Sequence, residues 1–141
     1  MAHEGKRSID INATPERILE VITEIEDYPT WMDAFHKAEV VERDDQGRPS
    51  RASFEVDARI KVLKYALEYG YPENGISWKT VGGDVEQLDG SYIMESKGDS
   101  TTVTYTYAIE PGFPVPGFMV KQGVKMMVTS ALEDLKKQAE A

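Results

Sequence analysis

Tyrosine is the side chain through which this chain could do most of its chemistry: there are seven tyrosines against four phenylalanines, two histidines and no cysteine. A phenol is a large apolar ring with a hydrogen-bonding tip. Burying that tip without a partner costs roughly 1 to 3 kcal/mol, so phenylalanine would fill a dry core better than Tyr69, Tyr92, Tyr105 and Tyr107 do. Such hydroxyls are expected either to face water or a bound molecule inside a cavity, or to reach the rim or a backbone carbonyl. Histidine moves protons near neutral pH, yet His36 has no serine or cysteine beside it and a surface role accounts for it. No catalytic residue is assigned.

Other chemistries are disfavoured by residue type and spacing. The two histidines stand 33 residues apart, and no His/Asp/Glu spacing matches a metal site. Gly82-Gly83 runs into Asp84 without the lysine of a phosphate loop, so it reads as a turn. Clustered acids at Glu24, Glu26, Asp27, Asp44 and Asp45 read as solvated charge, and alternation puts Arg59 outside. No cofactor and no metal are expected. A net charge of −9 without a basic stripe argues against nucleic acid and against stable membrane association. Lys121, Lys125, Lys136 and Lys137 read as a solvated helix face. Residues 1–14 hold no signal-like apolar stretch, and no later run approaches membrane-spanning length. With cysteine absent, the expected location is the cytoplasm, and the sequon Asn12-Ala13-Thr14 reads as accidental.

The elements that must position these residues follow from periodicity. Ser8 to Asn12 alternates as a short strand. Thr14 and Pro15 open a helix carrying Ile18, Val21, Ile22 and Ile25, which Pro29 ends before a second short helix through Phe35. From Ala38 the period becomes two, with turns at Asp44–Gly47, Pro72–Gly75, Gly82-Gly83 and Lys97–Ser100. Ala52, Phe54, Val56, Ala58 and Ile60 alternate with polar residues, as do Tyr65, Leu67, Tyr69 and Tyr71. The parity between these two runs breaks near Leu63, which calls for a tight turn or a bulge. Short consecutive strands joined by short turns make an antiparallel meander. After Pro111, Pro114 and Pro116, a helix of some 20 residues, about 30 Å long, presents Val120, Val124, Met127, Ala131 and Leu135 to the sheet. At 141 residues one domain, 1–141, is expected.

This order resembles the helix-grip fold of START-related proteins in the SRPBCC superfamily. Tyr28-Pro29-Thr30-Trp31-Met32 looks like the "YPxW" stretch of the polyketide cyclase/dehydrase and lipid-transport family, and Leu88-Asp89-Gly90-Ser91-Tyr92 like its "LxGxY" strand. Tyr65–Tyr69, Ile76–Trp78, Pro114–Phe118 and Leu132–Lys136 resemble its mid-sheet strands, closing loop and terminal helix. The resemblance implies an α+β fold: a curved antiparallel sheet of about seven strands around a long C-terminal helix, with two short helices after the first strand. It also implies a ligand cavity between sheet and helix.

The residues expected to line that cavity are Phe54, Val56, Leu67, Tyr69, Trp78, Leu88, Tyr92, Val103, Tyr105 and Tyr107 from the sheet, with Met119, Met127 and Val128 from the helix. Trp31 and His36 are expected at its mouth. Three functions are compatible: binding or transport of a lipid or other hydrophobic small molecule, a polyketide aromatase/cyclase, and a non-catalytic protein-interaction module whose interior is solid. Oligomeric state is left open.

Overall fold

The computed structural model describes residues 3–59 and 61–141. The first strand, β1 (His3–Ile11), leads into α1 (Pro15–Thr23), a 3-10 turn (Ile25–Asp27) and α2 (Tyr28–Trp31). Six strands follow: β2 (Phe35–Arg43), β3 (Pro49–Asp57), β4 (Val62–Gly70), β5 (Gly75–Gly83), β6 (Gln87–Ser96) and β7 (Thr101–Glu110). The last element is α3 (Gly117–Glu140). All neighbouring strands are antiparallel in the order β1-β7-β6-β5-β4-β3-β2. The sheet curves around the terminal helix, so the α+β helix-grip architecture expected from the sequence is the fold observed.

Local chemistry accounts for most boundaries. The Thr14 hydroxyl accepts from the Arg17 N–H at 3.1 Å and Pro15 occupies the first turn, so the sequon threonine serves as a helix cap. α1 ends at Thr23, earlier than the apolar stripe indicated, and buried Ile25 sits on the 3-10 turn instead. α2 stops at Trp31, and Phe35 opens β2 rather than closing a helix. Placed opposite Val56, the Phe35 ring packs edge-on to Phe54 at 5.7 Å and Tyr28 at 5.5 Å, contacts that a longer helix would forfeit.

β3 ends at Asp57, which pairs with Val62. The parity break is therefore a tight turn and not a bulge: the Ala58 N–H donates to the Lys61 carbonyl at 3.0 Å, and Arg59 takes the left-handed backbone at φ 70°. Ala58 lies in this turn, while Ile60, which alternation assigns to the same strand, lies outside the described residues. Gly82-Gly83 is not a connecting turn but the irregular end of β5, where the register against β4 shifts at Ala66/Leu67. Gly83, at φ 112°, lies against the Lys64 and Tyr65 backbone too closely to carry a side chain.

Apolar packing divides into two clusters. One joins α1 and the second half of α3 to β1, β5, β6 and β7 through Ile11, Ile18, Ile76, Val103, Val128, Leu132 and Leu135. The other joins the 3-10 turn and α2 to β3 and β4 through Ile25, Tyr28, Ala52, Phe54, Tyr65 and Leu67. Within α3 the buried residues are Val128, Leu132, Leu135 and Ala139, so the inward stripe is rotated from the expected one and confined to the C-terminal half. Among the described residues, no helix is long and apolar enough to cross a membrane.

Candidate functional site on the concave face

Register sets which side chains share the concave face. Phe54 stands opposite Tyr65, Val56 opposite Leu63 and Leu67 opposite Thr80. Tyr69 faces Trp78, Ile76 faces Tyr92, and Tyr92 in turn faces Tyr105. Gly90 pairs with Tyr107, Leu88 with Ile109 and Met94 with Val103. All ten sheet residues expected to line a cavity thus lie on one face, together with Tyr65, Ile76 and Met94.

Aromatic rings pave its centre. Trp78 sits 5.2 Å from Tyr92, 5.8 Å from Tyr105 and 6.4 Å from Tyr69, while Tyr92 and Tyr105 are 4.9 Å apart and Tyr105 and Tyr107 are 5.7 Å apart. Two glycines make room for them. A Cβ on Gly90 would come within 2.7 Å of the Trp78 ring, and one on Gly5 within 2.5 Å of the Tyr107 hydroxyl. Both side chains reach over neighbouring backbone that carries no side chain of its own.

The seven hydroxyls divide into two groups. Tyr28 donates to the Ile22 carbonyl, and Tyr71 donates to the Pro49 carbonyl at 2.6 Å while Arg48 covers its ring at 4.1 Å. These two settle on backbone. Among the described residues, no protein group pairs with the hydroxyls of Tyr65, Tyr69, Tyr92, Tyr105 or Tyr107, and none of the five is sealed from solvent. Burial, with lesser effects from neighbouring phenols, pushes the Tyr65, Tyr69, Tyr92 and Tyr105 phenols well above their ordinary range. They are neutral donors at physiological pH. The inward residues of β3 to β7 carry no charge at all; the cation on this side, Arg7, stands on edge strand β1 and donates to the Thr129 hydroxyl of α3 at 2.6 Å.

Trp31, Tyr69 and Trp78 pack against both apolar clusters and are part-exposed, so they mark the seam where the two clusters meet. Trp31, at the end of α2, borders this seam as expected for a mouth residue. His36 does not: it projects from the convex side of β2, where its Nδ1 lies 3.6 Å from the Glu55 carboxylate. Its neighbour Phe35 takes the inward position, and the irregular register between Phe35 and Lys37 turns His36 away. Met119 and Met127 are 39% and 37% exposed and lie outside the buried stripe, whereas Val128 is buried against the sheet. Tyr65 escaped the list of candidates although it alternates in phase with Leu67 and Tyr69; that phase was the signal for it.

A separate surface groove of about 340 Å³ lies between the 3-10 turn and the β2–β3 hairpin. It contains none of the residues just placed on the concave face of β3 to β7, and its polar groups serve the fold: Glu26 accepts from the Val40 N–H, and Arg43 donates to the Gly47 carbonyl. The concave face, with five available hydroxyls, is the better candidate.

Comparison with known proteins agrees with this geometry. A START superfamily protein from Mycobacterium smegmatis superposes with a TM-score of 0.89 at 23% identity, covering 98% of this chain and 97% of that one. The Zhui aromatase/cyclase from Streptomyces sp. R1128 superposes with a TM-score of 0.81 at 13% identity, covering 99% and 94%. A STAR-related lipid transfer protein from Xanthomonas axonopodis does so with a TM-score of 0.77 at 14% identity, covering 98% and 86%. Identities this low establish the fold alone. No curated protein matches the chain. The sequence model described as polyketide cyclase/dehydrase and lipid transport, however, matches residues 11–136, nearly all of the helix-grip just described, and the chain belongs to that family.

Proposed function

We propose that the protein binds and carries a hydrophobic small molecule, a lipid or another apolar metabolite, between the concave face of the sheet and α3. The observation that carries this reading is the seam at Trp31, Tyr69 and Trp78, where large aromatic side chains bridge the two apolar clusters and stay part-exposed. Large aromatic surface in a part-open seam favours an apolar guest, and a carrier needs no catalytic group. Residues 1–141 serve this one site as a single domain, and the work is done in the cytoplasm. Native mass spectrometry of protein purified from its host tests the proposal. A co-purifying small molecule is expected; persistent absence of one, with no uptake of fatty acids or polycyclic aromatics, refutes it.

A second reading, an aromatase/cyclase, is favoured by the unpartnered phenols, which can donate to a ketone oxygen and stabilise charge developing there. On this reading Tyr105 touches the reacting ketone, and His36, on the convex side, takes no part. Turnover of a model poly-β-ketone that drops in the Tyr105→Phe variant supports cyclase activity; an absence of turnover by the intact protein removes it.

A further inference from the structure

Among the described residues, eight large apolar side chains are exposed, and half of them fall in one stretch of α3: Phe118, Met119, Met126 and Met127. The others, Val41, Val62, Val81 and Ile93, stand singly on four different strands, as scattered surface hydrophobics normally do. Met119 and Met126 are seven residues apart, on the side of α3 opposite buried Val128 and Leu135. The same side carries Glu133 and Lys137 further along, so the outward face is polar over the anchored half of the helix and apolar over the first half. An outward apolar face adds nothing to the packing of the helix on its sheet and calls for something that covers it.

Charge indicates what that is. Every one of the chain's 25 acidic residues lies outside residues 111–132, which hold Lys121 and Lys125. Both lysines are exposed and share a flank of α3 with Phe118. On the loop leading into the helix, Lys61 covers the Phe113 ring at 4.7 Å and Glu86 lies against Gly112, so the loop is balanced and the positive excess belongs to α3. Apolar residues bordered by lysines in an acid-free segment fit an anionic lipid surface. The apolar side chains enter the boundary between headgroups and acyl chains, and the lysine stems lie along it with their ammonium groups on the phosphates. From Phe118 to Met127 the four side chains fan over half of the helix circumference, a spread that a fluid bilayer accommodates and a rigid groove does not. A second copy fits worse, because an isologous contact through this face sets Lys121 and Lys125 against the same lysines.

We propose that the first half of α3 docks the protein reversibly on anionic bilayers, with Phe118, Met119 and Met126 in the interface and Lys121 and Lys125 on the lipid phosphates. The net charge of −9 opposes tight attachment, so the contact is brief and salt-sensitive, unlike stable membrane association. No residue from Gly117 to Met127 is buried, so this half meets a bilayer without breaking core packing. The docking concerns the outer surface and goes beyond the carrier reading, standing whether or not a guest is held.

Flotation of the full chain with phosphatidylcholine vesicles, either pure or containing about one-third phosphatidylserine, tests the proposal. At about 0.1 M salt, binding to the mixed vesicles is expected to be roughly ten-fold tighter or more than to pure phosphatidylcholine, and to weaken as salt rises. Lys121→Glu combined with Lys125→Glu is expected to weaken it by about 25-fold or more, roughly five-fold for each charge removed. Phe118→Ser combined with Met126→Ser, which keeps both lysines, is expected to weaken it by about ten-fold. Lys137→Glu makes the same kind of charge change on the anchored half, some 18 Å along the helix from Lys125, and is expected to stay within about three-fold of the parent. All these residues are exposed, and thermal unfolding establishes that each variant is folded. Equal binding to both kinds of vesicle, binding to neither, or folded patch variants that float like the parent overturns the proposal. A concentration-dependent dimer in sedimentation equilibrium that the Phe118→Ser, Met126→Ser variant dissolves assigns the face to a second copy and overturns it as well. None of these outcomes touches the carrier reading, which native mass spectrometry decides.

Discussion

Replacing Gly90 by alanine adds one methyl group at the floor of the concave face, and the structure sets what that methyl meets. Its carbon would stand 2.7 Å from Cζ2 and 3.0 Å from Cε2 of Trp78, and 2.9 Å from the Thr106 carbonyl oxygen. Carbon atoms in contact prefer roughly 3.5 to 4.0 Å, so the indole must retreat by about 1 Å. The Thr106 carbonyl belongs to β7, whose ladder is anchored on both sides by β6 and β1, and it has little room to yield. The indole is itself held by Tyr69, Tyr92 and Tyr105. Overpacking of this kind destabilises by about 1 to 3 kcal/mol. At this chain length each kcal/mol moves the melting temperature by roughly 3 to 5 °C, so Gly90→Ala is expected to melt about 3 to 15 °C below the parent. Far-ultraviolet circular dichroism gives the melting temperature, and near-ultraviolet bands report the displaced indole. A variant that melts within about 1 °C of the parent with an unchanged aromatic spectrum would show that Trp78 does not lie over Gly90 as described.

Other expectations follow from the same packing. Gly123 has open space around its Cα within α3, so Gly123→Ala is expected to stabilise by up to about 1 kcal/mol through helix propensity alone, measured by urea unfolding. Leu135, 1% exposed on the inward face of α3, is expected to cost about 2 to 5 kcal/mol on truncation to alanine, read by the same method. Asp89 has its carboxyl desolvated, which alone would raise its pKa, but donation from Gln87 and from the Thr80 N–H and hydroxyl outweighs this and holds it below the usual range. A depressed folded-state pKa stabilises above the unfolded value and is lost as pH falls through the folded one. Asp89→Asn is therefore expected to flatten the fall in melting temperature between about pH 5 and pH 2; an acid profile identical to the parent's would remove Asp89 from the account.

Much of this architecture is legible in residue order because its strands are amphipathic. Ala52 and Phe54 against Arg51, Ser53 and Glu55 define a two-sided strand before any coordinates exist, and Asp44 to Gly47 can hardly be anything but a hairpin turn, as the Asp44 N–H to Arg48 carbonyl bond at 2.8 Å bears out. Positions where tertiary packing overrides local preference were harder. Phe35 has no local reason to leave a helix; it does so for Phe54 and Tyr28, remote partners that periodicity cannot see. The same displacement carried His36 from an expected mouth position to the convex surface. In α3 the apolar residues are spread around the helix, so which of them face inward is decided by where β1, β7 and α1 lie, and Met119 and Met127 yield to Val128 and Leu132. For the tyrosines, residue type marked a polar interior, while the division between Tyr28 and Tyr71 on backbone carbonyls and the five without partners required the register.

On the carrier reading, the uneven seating of α3 bears on how fast a guest comes and goes. From Gly117 to Met127 no residue is buried, and Phe118, Met119, Met126 and Met127 are 73%, 39%, 45% and 37% exposed, whereas Val128 onward is anchored. Segments with few buried contacts open at a small fraction of the global unfolding free energy. Amides in the first three turns of α3 are therefore expected to exchange with solvent orders of magnitude faster than those after Val128, as hydrogen exchange would record. On the carrier reading, a guest held beneath α3 would leave by the fraying of a few turns, so residence time becomes a property of α3's first half, adjustable by substitutions there that never touch the guest.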